Sequence, residues 1–215
     1  MREHDFEPVP GLPGPLPAGE TLLWQGSPRW TALARHALHV RAIAVYFAGL
    51  LAWREATLFS EGAGAVPAVR AGLLAALLAA AAIGVFSLLA WLMARGTVYT
   101  ITSRRVVIRF GLVLPGMVNL PFRVVDAAAV RRHADGTGDI PLTLAAGTRV
   151  GWLVMWPHVR PARFAHPQPM LRCVAQPDQV ARILGRALAA HAARPIPVAV
   201  RKTGAATPEP ATVPA

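Results

Sequence analysis

The longest uninterrupted run of apolar residues lies in the middle of the chain. Residues 71–94 carry no charged side chain, and Arg70 and Arg95 bracket them. At about 1.5 Å per helical residue, this run exceeds the roughly 30 Å hydrocarbon core of a bilayer. It lies too far from the N-terminus to be a signal peptide. The pattern predicts a transmembrane helix.

A second apolar stretch precedes this run and gives a weaker signal for a transmembrane helix. Its uncharged core covers only residues 42–53, but residues 37–59 reach a spanning length, with Arg41 and the pair Arg54–Glu55 near the ends. Arginines near a helix end can extend to the headgroups. An interfacial or re-entrant helix is the competing interpretation. We expect a two-helix transmembrane hairpin over residues 37–94, since a second span returns the chain to the same side.

After the apolar run, apolar and polar side chains alternate with a period of two residues. Apolar residues occupy alternate positions in residues 99–101 and again in residues 106–110. Such alternation is typical of strands with one buried face. The pattern predicts a hairpin that turns at residues 103–104 and has one buried and one polar face.

Three arginines belong to this hairpin: Arg104, Arg105 and Arg109. Arg105 and Arg109 share the predicted outward face, and the hairpin begins a few residues after Arg95. Anionic headgroups attract basic groups by about 1 kcal/mol each. The spacing therefore predicts that these arginines contact the membrane surface.

Further strand-like runs cover residues 119–130, 141–146, 149–156 and 170–175, and turn-forming residues connect them. Residues 177–193 then change to helical spacing. Strands closed by one amphipathic helix suggest a small, partly open barrel of the pleckstrin-homology (PH) kind. The predicted fold class is therefore an α+β membrane protein, in which two transmembrane helices precede a PH-like antiparallel β domain over residues 95–194.

The two ends of the chain have a different composition. Residues 7–20 contain five prolines, which favours an extended polyproline segment. Residues 21–41 are typical of an amphipathic lead-in to the first membrane helix, so residues 1–36 are predicted to be a Pro-rich segment with this interfacial lead-in. Residues 195–215, rich in Pro, Ala and Thr, are predicted to be a disordered tail.

Composition and charge support membrane attachment and indicate an orientation. The chain is 54% hydrophobic and only 15% charged, with a formal net charge of +11. Sixteen of its 22 basic residues follow residue 94. Because basic flanks stay cytoplasmic, we expect a multi-pass protein of the inner membrane with both termini in the cytoplasm. A nucleic-acid partner is not expected, since no binding motif is present. The single Cys173 gives no support for an oxidising compartment.

Catalytic motifs are scarce. The sequence contains no P-loop, dinucleotide fingerprint, paired-histidine metal helix or nucleophile elbow. Its seven histidines are scattered, so neither an enzyme nor a metal site is expected. Residues 135–142 superficially resemble a calcium loop, but they lack the alternating acidic ligands and favour a hairpin turn.

Residues 156–169 combine prolines with basic and aromatic side chains. Such a rigid surface suits protein recognition, since Trp and Arg are favoured interface anchors. A loop that blocks edge-to-edge aggregation is the alternative. The residues predicted to bind a partner are Trp156, Pro157, His158, Arg160, Pro161 and Arg163.

His36 and His39 lie just before the first membrane helix, and Ala32 precedes His36 by one helical turn. A histidine with a small residue one turn earlier can ligate the magnesium of a chlorin while leaving room for the ring. The alternative is an interfacial histidine that faces headgroups. Contact with a chlorin is therefore one hypothesis for these two residues, and no other cofactor is expected.

Several stretches resemble the PuhB-type photosynthetic complex assembly proteins of purple bacteria. The most distinctive are DGTGDIPL (135–142) and WPHVRPARFAHPQPMLR (156–172). The others are residues 5–28, 34–41, 46–53, 99–111 and 119–123. Together they cover roughly half of the chain. Residues 19–28 and 99–111 also resemble the wider bacterial PH-like membrane families.

The resemblance implies a non-enzymatic factor that assists assembly of the photosynthetic reaction centre and its core light-harvesting complex. The resemblance also implies that the membrane is the photosynthetic membrane and that a chlorin at His36 or His39 would be bacteriochlorophyll. The partners would be subunits of those complexes and anionic lipid, and homo-oligomer formation stays open. The alternative is a lipid- or peptide-binding PH-like envelope module with no photosynthetic role, which the less specific stretches allow equally well.

Overall fold

The structure is a computed structural model that describes residues 11–12, 14–111, 115–148 and 150–193. The predicted tail and residues 1–10 of the predicted Pro-rich segment lie outside the described residues. Two long helices, α2 (Val40–Ser60) and α3 (Ala65–Arg95), correspond to the two apolar stretches. Both are long and apolar enough to cross a membrane, and most of their large apolar side chains are exposed.

The first antiparallel sheet contains a strand that precedes the long helices. Its order is β1 (Leu22–Gly26), β2 (Val98–Thr102), β3 (Arg105–Phe110) and β4 (Gly116–Pro121). Strands β2 and β3 form the predicted hairpin. Strand β1 pairs antiparallel with β2, so the β domain begins before the helices. Residues 22–26 of the predicted interfacial lead-in therefore belong to the β domain, because their backbone groups pair with β2.

The predicted polar face of the hairpin is also buried. Thr100, Thr102 and Val107 are almost fully buried, although they alternate with the core residues. The chain before β1 packs on this side: Leu12 is buried, and a Cβ atom on Gly11 would lie 2.7 Å from Val98 Cγ1. Residues 11–12 therefore pack on the sheet face that was expected to meet solvent.

A short helix, α1 (Trp30–His36), follows β1 and packs against the end of α3. Leu33 of α1, Ala94 of α3 and Cys173 form one buried cluster. Ala34, Leu38 and Ala90 form another. These contacts stabilise the packing of the C-terminal end of α3 on the β domain, because apolar side chains of α3 and of the β domain are removed from water together.

The second sheet is built around β7 (Thr137–Leu144). Strands β5 (Val125–Ala128), β6 (Arg131–Arg132) and β8 (Met170–Ala175) all pair antiparallel with it. A 3-10 turn, Phe122–Val124, leads into β5. The predicted strand over residues 149–156 is wrong for Trp152–Met155, which form a one-turn helix, α4.

The C-terminal helix α5 (Pro177–Ala192) packs on the main core. Val180, Leu184 and Ala187 are buried, as their helical spacing predicts. Both sheets contribute side chains to this core, among them Tyr99, Ile108, Ile140 and Leu171. The prediction of antiparallel strands closed by one amphipathic helix is confirmed.

Candidate functional site

A cavity of about 790 Å³ lies between the start of α2 and the loop that follows β7. Three aromatic residues of that loop line it: Trp152, Trp156 and Phe164. Its other lining residues are apolar or basic, and among the described residues Asp139 is the only acidic one. The basic lining residues are Arg35, His36, His39, Arg131, His133, Arg160 and Arg172. The cavity therefore combines aromatic surface with excess positive charge.

This cavity brings together two groups of residues that the sequence singles out separately. Trp156, Arg160 and Pro161 of the predicted partner loop line it, and so do His36 and His39. These two groups are more than 100 residues apart in the sequence. They meet because α1 ends, and α2 begins, beside the loop.

Arg163 belongs to the same loop but is exposed and lines a different depression, with Thr143 and Gln168. Pro157 and His158, also predicted to bind a partner, are buried. Their side chains cannot form a recognition surface. The prediction is therefore wrong for these two residues, since both pack inside the β domain.

His158 is instead the centre of a buried hydrogen-bond network. Its Nε2 lies 3.1 Å from Thr97 Oγ1, and its Nδ1 lies 2.8 Å from the Tyr99 hydroxyl. Thr97 donates its hydroxyl proton to the Met93 carbonyl at 2.8 Å. Nε2–H therefore donates to Thr97, and Nδ1 accepts from Tyr99. This arrangement requires a neutral imidazole. It connects the loop that contains His158 to the C-terminal end of α3 through Thr97 and Met93.

Burial is the main cause that lowers the pKa of His158 to about 3, and the charge of Arg172 adds to it. Burial also raises the pKa of the Tyr99 hydroxyl. Both rings therefore stay neutral over the physiological range. The network holds its geometry without an ionised histidine or tyrosine.

Arg172 was not singled out by the sequence, yet it is the most buried basic residue of the cavity lining. It is only 7% exposed. Its guanidinium donates to the carbonyl of Pro157 and to that of His36, both at 2.8 Å. The signal in the sequence is an arginine inside the apolar strand run MLRCVA (170–175), since arginine is rarely buried without a partner.

His36 contacts a second titratable cluster. Its Nε2 lies 3.2 Å from Asp135 Oδ2, and its ring stacks on His133 with centroids 3.9 Å apart. Hydrogen bonds from Thr137 are the main cause that lowers the pKa of Asp135 to about 2. Nε2 of His36 is therefore engaged with a carboxylate, whereas His39 lies exposed at the start of α2.

The hairpin arginines differ from the prediction. Arg105 forms a two-pronged ion pair with Glu20, with Nε and Nη2 at 2.7 and 3.0 Å from the carboxylate oxygens. Glu20 is buried, so this guanidinium serves the fold. Arg104 is exposed at the tip of the hairpin, about 20 Å along the strand from Val98 at about 3.3 Å per residue. Only Arg109, which pairs in register with Val98, lies at the strand end next to α3.

One group of side chains could hold a metal ion. Ligand atoms of His133, Asp139 and Cys173 all lie within 4.8 Å of one another. Asp139 Oδ1 accepts the Cys173 backbone N–H at 2.9 Å, and Oδ2 lies 3.2 Å from His133 Nε2. Burial is the main cause that raises the pKa of Cys173 to about 12. A metal would therefore have to displace the thiol proton.

Comparisons with known proteins place the chain in a family. The model of the family described as Bacterial PH domain matches residues 42–188. A relative from Rhodobacter capsulatus, described as an uncharacterized 23.7 kDa protein in the puhA 5′ region, is 40% identical over 209 residues. The alignment covers 96% of this chain and 98% of the relative. No solved structure gives a significant match. Since the family model spans more than half of the chain, the protein belongs to the bacterial PH domain family.

Proposed function

We propose that the protein is a membrane-anchored assembly factor for the photosynthetic reaction centre and its core light-harvesting complex. The observation that carries this proposal is the relative from the puhA 5′ region of Rhodobacter capsulatus, which lies in a photosynthesis gene region. The resemblance of residues 135–142 and 156–172 to PuhB-type assembly proteins supports the same role. The factor acts by binding and positioning, with no chemical step.

In this proposal α2 and α3 cross the membrane as a hairpin, with both termini in the cytoplasm. Their length and exposed apolar side chains support this placement. Lipid or the membrane span of an incoming subunit would then cover surfaces that are unfavourable in water.

The connection between helices and β domain suits a scaffold. Strand β1 comes before the helices and β2 after them, and the two strands pair directly. Helix α1 also packs on the end of α3. Both ends of the α2–α3 hairpin therefore connect directly to paired elements of the β domain. A subunit that contacts the helices would then lie at a fixed distance from the β domain.

The partner surface in this proposal is the exposed part of the 152–164 loop. Leu153, Val154 and Phe164 are 81%, 70% and 67% exposed, and Trp156 and Arg160 are exposed beside them. Exposed apolar patches mark interaction sites, and Trp and Arg are favoured interface anchors. This surface does not include Pro157 and His158, which the sequence analysis predicted to bind a partner, because both residues are buried.

Deletion of the gene in its native host tests the proposed function. The near-infrared absorption spectrum of the membranes should lose intensity in the reaction-centre and core-antenna bands, and a wild-type copy should restore them. A copy with Phe164→Ser and Trp156→Ser should restore them only in part, whereas the matched change Phe59→Ser at the far end of α2 should restore them more fully. An unchanged spectrum after deletion would contradict the role and favour a PH-like envelope module without a photosynthetic partner.

A further inference from the structure

The guanidinium of Arg172 is buried without a counter-charge. No carboxylate of the described residues forms an ion pair with it, and its Nε has no hydrogen-bond partner among them. Both of its bonded acceptors are neutral backbone carbonyls. Asp139 lines the same cavity, but its oxygens face Cys173 and His133. A buried cation with unused donors costs free energy unless something compensates it, which here points to an anion from outside the chain.

The start of α2 adds a second positive feature to this cavity. Ala37 and His39 line it, and His39 is the N-cap residue of a helix of 21 residues without a side-chain cap hydrogen bond. The dipole of such a helix favours negative charge near its start. Arg35, Arg131 and Arg160 add to the positive potential of the lining.

The position of the cavity indicates the source of the anion. It lies beside the start of α2, and the network around His158 places it next to the end of α3. In the proposed membrane placement, both points lie at the level of the lipid headgroups. The aromatic side chains of Trp152, Trp156 and Phe164 suit the same level.

We propose that this cavity binds the phosphate of an anionic phospholipid, with Arg172 as the central contact. A guanidinium offers several N–H donors in a geometry that matches phosphate oxygens. A volume of about 790 Å³ suits a headgroup, since small-molecule sites span about 300–1,000 Å³. The acyl chains extend from the cavity along the apolar surface of α2. This inference rests on the membrane placement in the proposed function and adds a specific lipid site to it.

Lipid retention by the full-length protein tests the site. The protein is placed in mixed micelles that contain equal amounts of phosphatidylglycerol and phosphatidylcholine with identical acyl chains, and native mass spectrometry counts the bound lipids. We expect a preference for phosphatidylglycerol of about tenfold, equivalent to about 1.4 kcal/mol. Arg172→Gln should reduce that preference to about twofold or less. Arg163→Gln removes the same charge from an exposed position outside the cavity and should leave the preference unchanged.

A second variant keeps the test valid if Arg172→Gln does not fold. Ala129 is exposed and lines the cavity, so Ala129→Phe fills the space without removing a charge and should also abolish the preference. An equal loss with Arg163→Gln would show diffuse surface attraction and overturn the proposal. Retention of the preference by Ala129→Phe would also overturn it.

Soluble competitors separate the two sources of a phosphate group. Inorganic phosphate and glycerol 3-phosphate at millimolar concentration should leave the bound phosphatidylglycerol in place. Displacement by either would assign the cavity to a soluble phosphate and overturn the lipid proposal. Fractionation of the wild-type cells distinguishes the failures: a chain found in the soluble fraction contradicts the membrane placement itself, whereas a membrane-bound chain without lipid preference contradicts only this site.

Discussion

His158 offers the sharpest test of how the β domain is attached to α3. It is 1% exposed and bonds to Thr97 and Tyr99. Replacement by glutamine keeps a polar side chain but cannot reproduce both ring contacts. Buried hydrogen-bonding groups that lose their partner cost about 1–3 kcal/mol each. We therefore expect His158→Gln to lower the free energy of unfolding by about 2–4 kcal/mol at neutral pH.

The pH dependence provides a second, independent signature. Burial lowers the pKa of His158 to about 3 from 6.5. Because the folded-state pKa lies below the unfolded one, the unfolded state binds the proton more tightly. The stability contribution is complete above the unfolded pKa and is lost as the pH falls from 6.5 towards 3. Between about pH 7 and pH 5 this loss amounts to about 2 kcal/mol.

Thermal unfolding of the full chain in detergent micelles, followed by tryptophan fluorescence, measures both effects. A change of 2 kcal/mol shifts the midpoint by about 4–8 °C for a chain of this size. The wild type should lose that much between pH 7 and pH 5, and His158→Gln should lose correspondingly less. The matched variant His166→Gln, at an exposed histidine, should behave like the wild type. An acid shift of equal size in His158→Gln and the wild type would refute the buried, neutral histidine.

Three further predictions follow from buried contacts. Glu20→Gln removes the charge opposite Arg105. The unfolding midpoint at neutral pH should therefore fall by several degrees, equivalent to about 1–3 kcal/mol. An unchanged midpoint would show that the ion pair contributes nothing to the free energy of unfolding. The Cys173 thiol is buried, and burial raises its pKa to about 12. A thiol reagent should therefore modify Cys173 only after denaturation. Rapid labelling of the folded protein would contradict the buried position of Cys173. Gly138→Ala should lower the midpoint, because a Cβ there would lie 2.7 Å from the backbone carbonyl oxygen of Arg131. The same change at Gly84, which has open space, is the control, and equal midpoints would contradict the packing.

The elements with strong local periodicity were predictable from the sequence. The two apolar helices coincide with the apolar stretches that predict them, and the amphipathic α5 buries residues at the spacing that its sequence shows. The 98–110 hairpin forms where the alternation predicts it, although its second face is buried as well. Strand β1 was not, because its five residues, LLWQG, lack clear alternation. Its partner lies beyond both helices, as the Gln25–Thr100 hydrogen bond over 75 residues shows. Pairing at that distance leaves no local signal.

The site was only partly predictable, for a different physical reason. Residue type suggested a partner-binding surface at residues 156–163, of which Trp156 and Arg160 are exposed. His158 and Arg172 are polar residues that the fold buries, and only the complete tertiary structure supplies the hydroxyl and carbonyl partners that allow it. The cavity itself depends on α1 and α2 meeting a loop more than 100 residues later, which no pattern in a short window can indicate.

The central claim is that the two helices cross the membrane and hold the β domain on the cytoplasmic side. Single cysteines in a Cys173→Ala background test it, one at Glu61→Cys in the turn between α2 and α3 and one at Arg163→Cys in the exposed loop of the β domain. A membrane-impermeant maleimide applied to intact cells should modify residue 61 but not residue 163, and both should react after cell disruption. Modification of residue 163 in intact cells, or recovery of the full-length chain in the soluble fraction, would contradict the account.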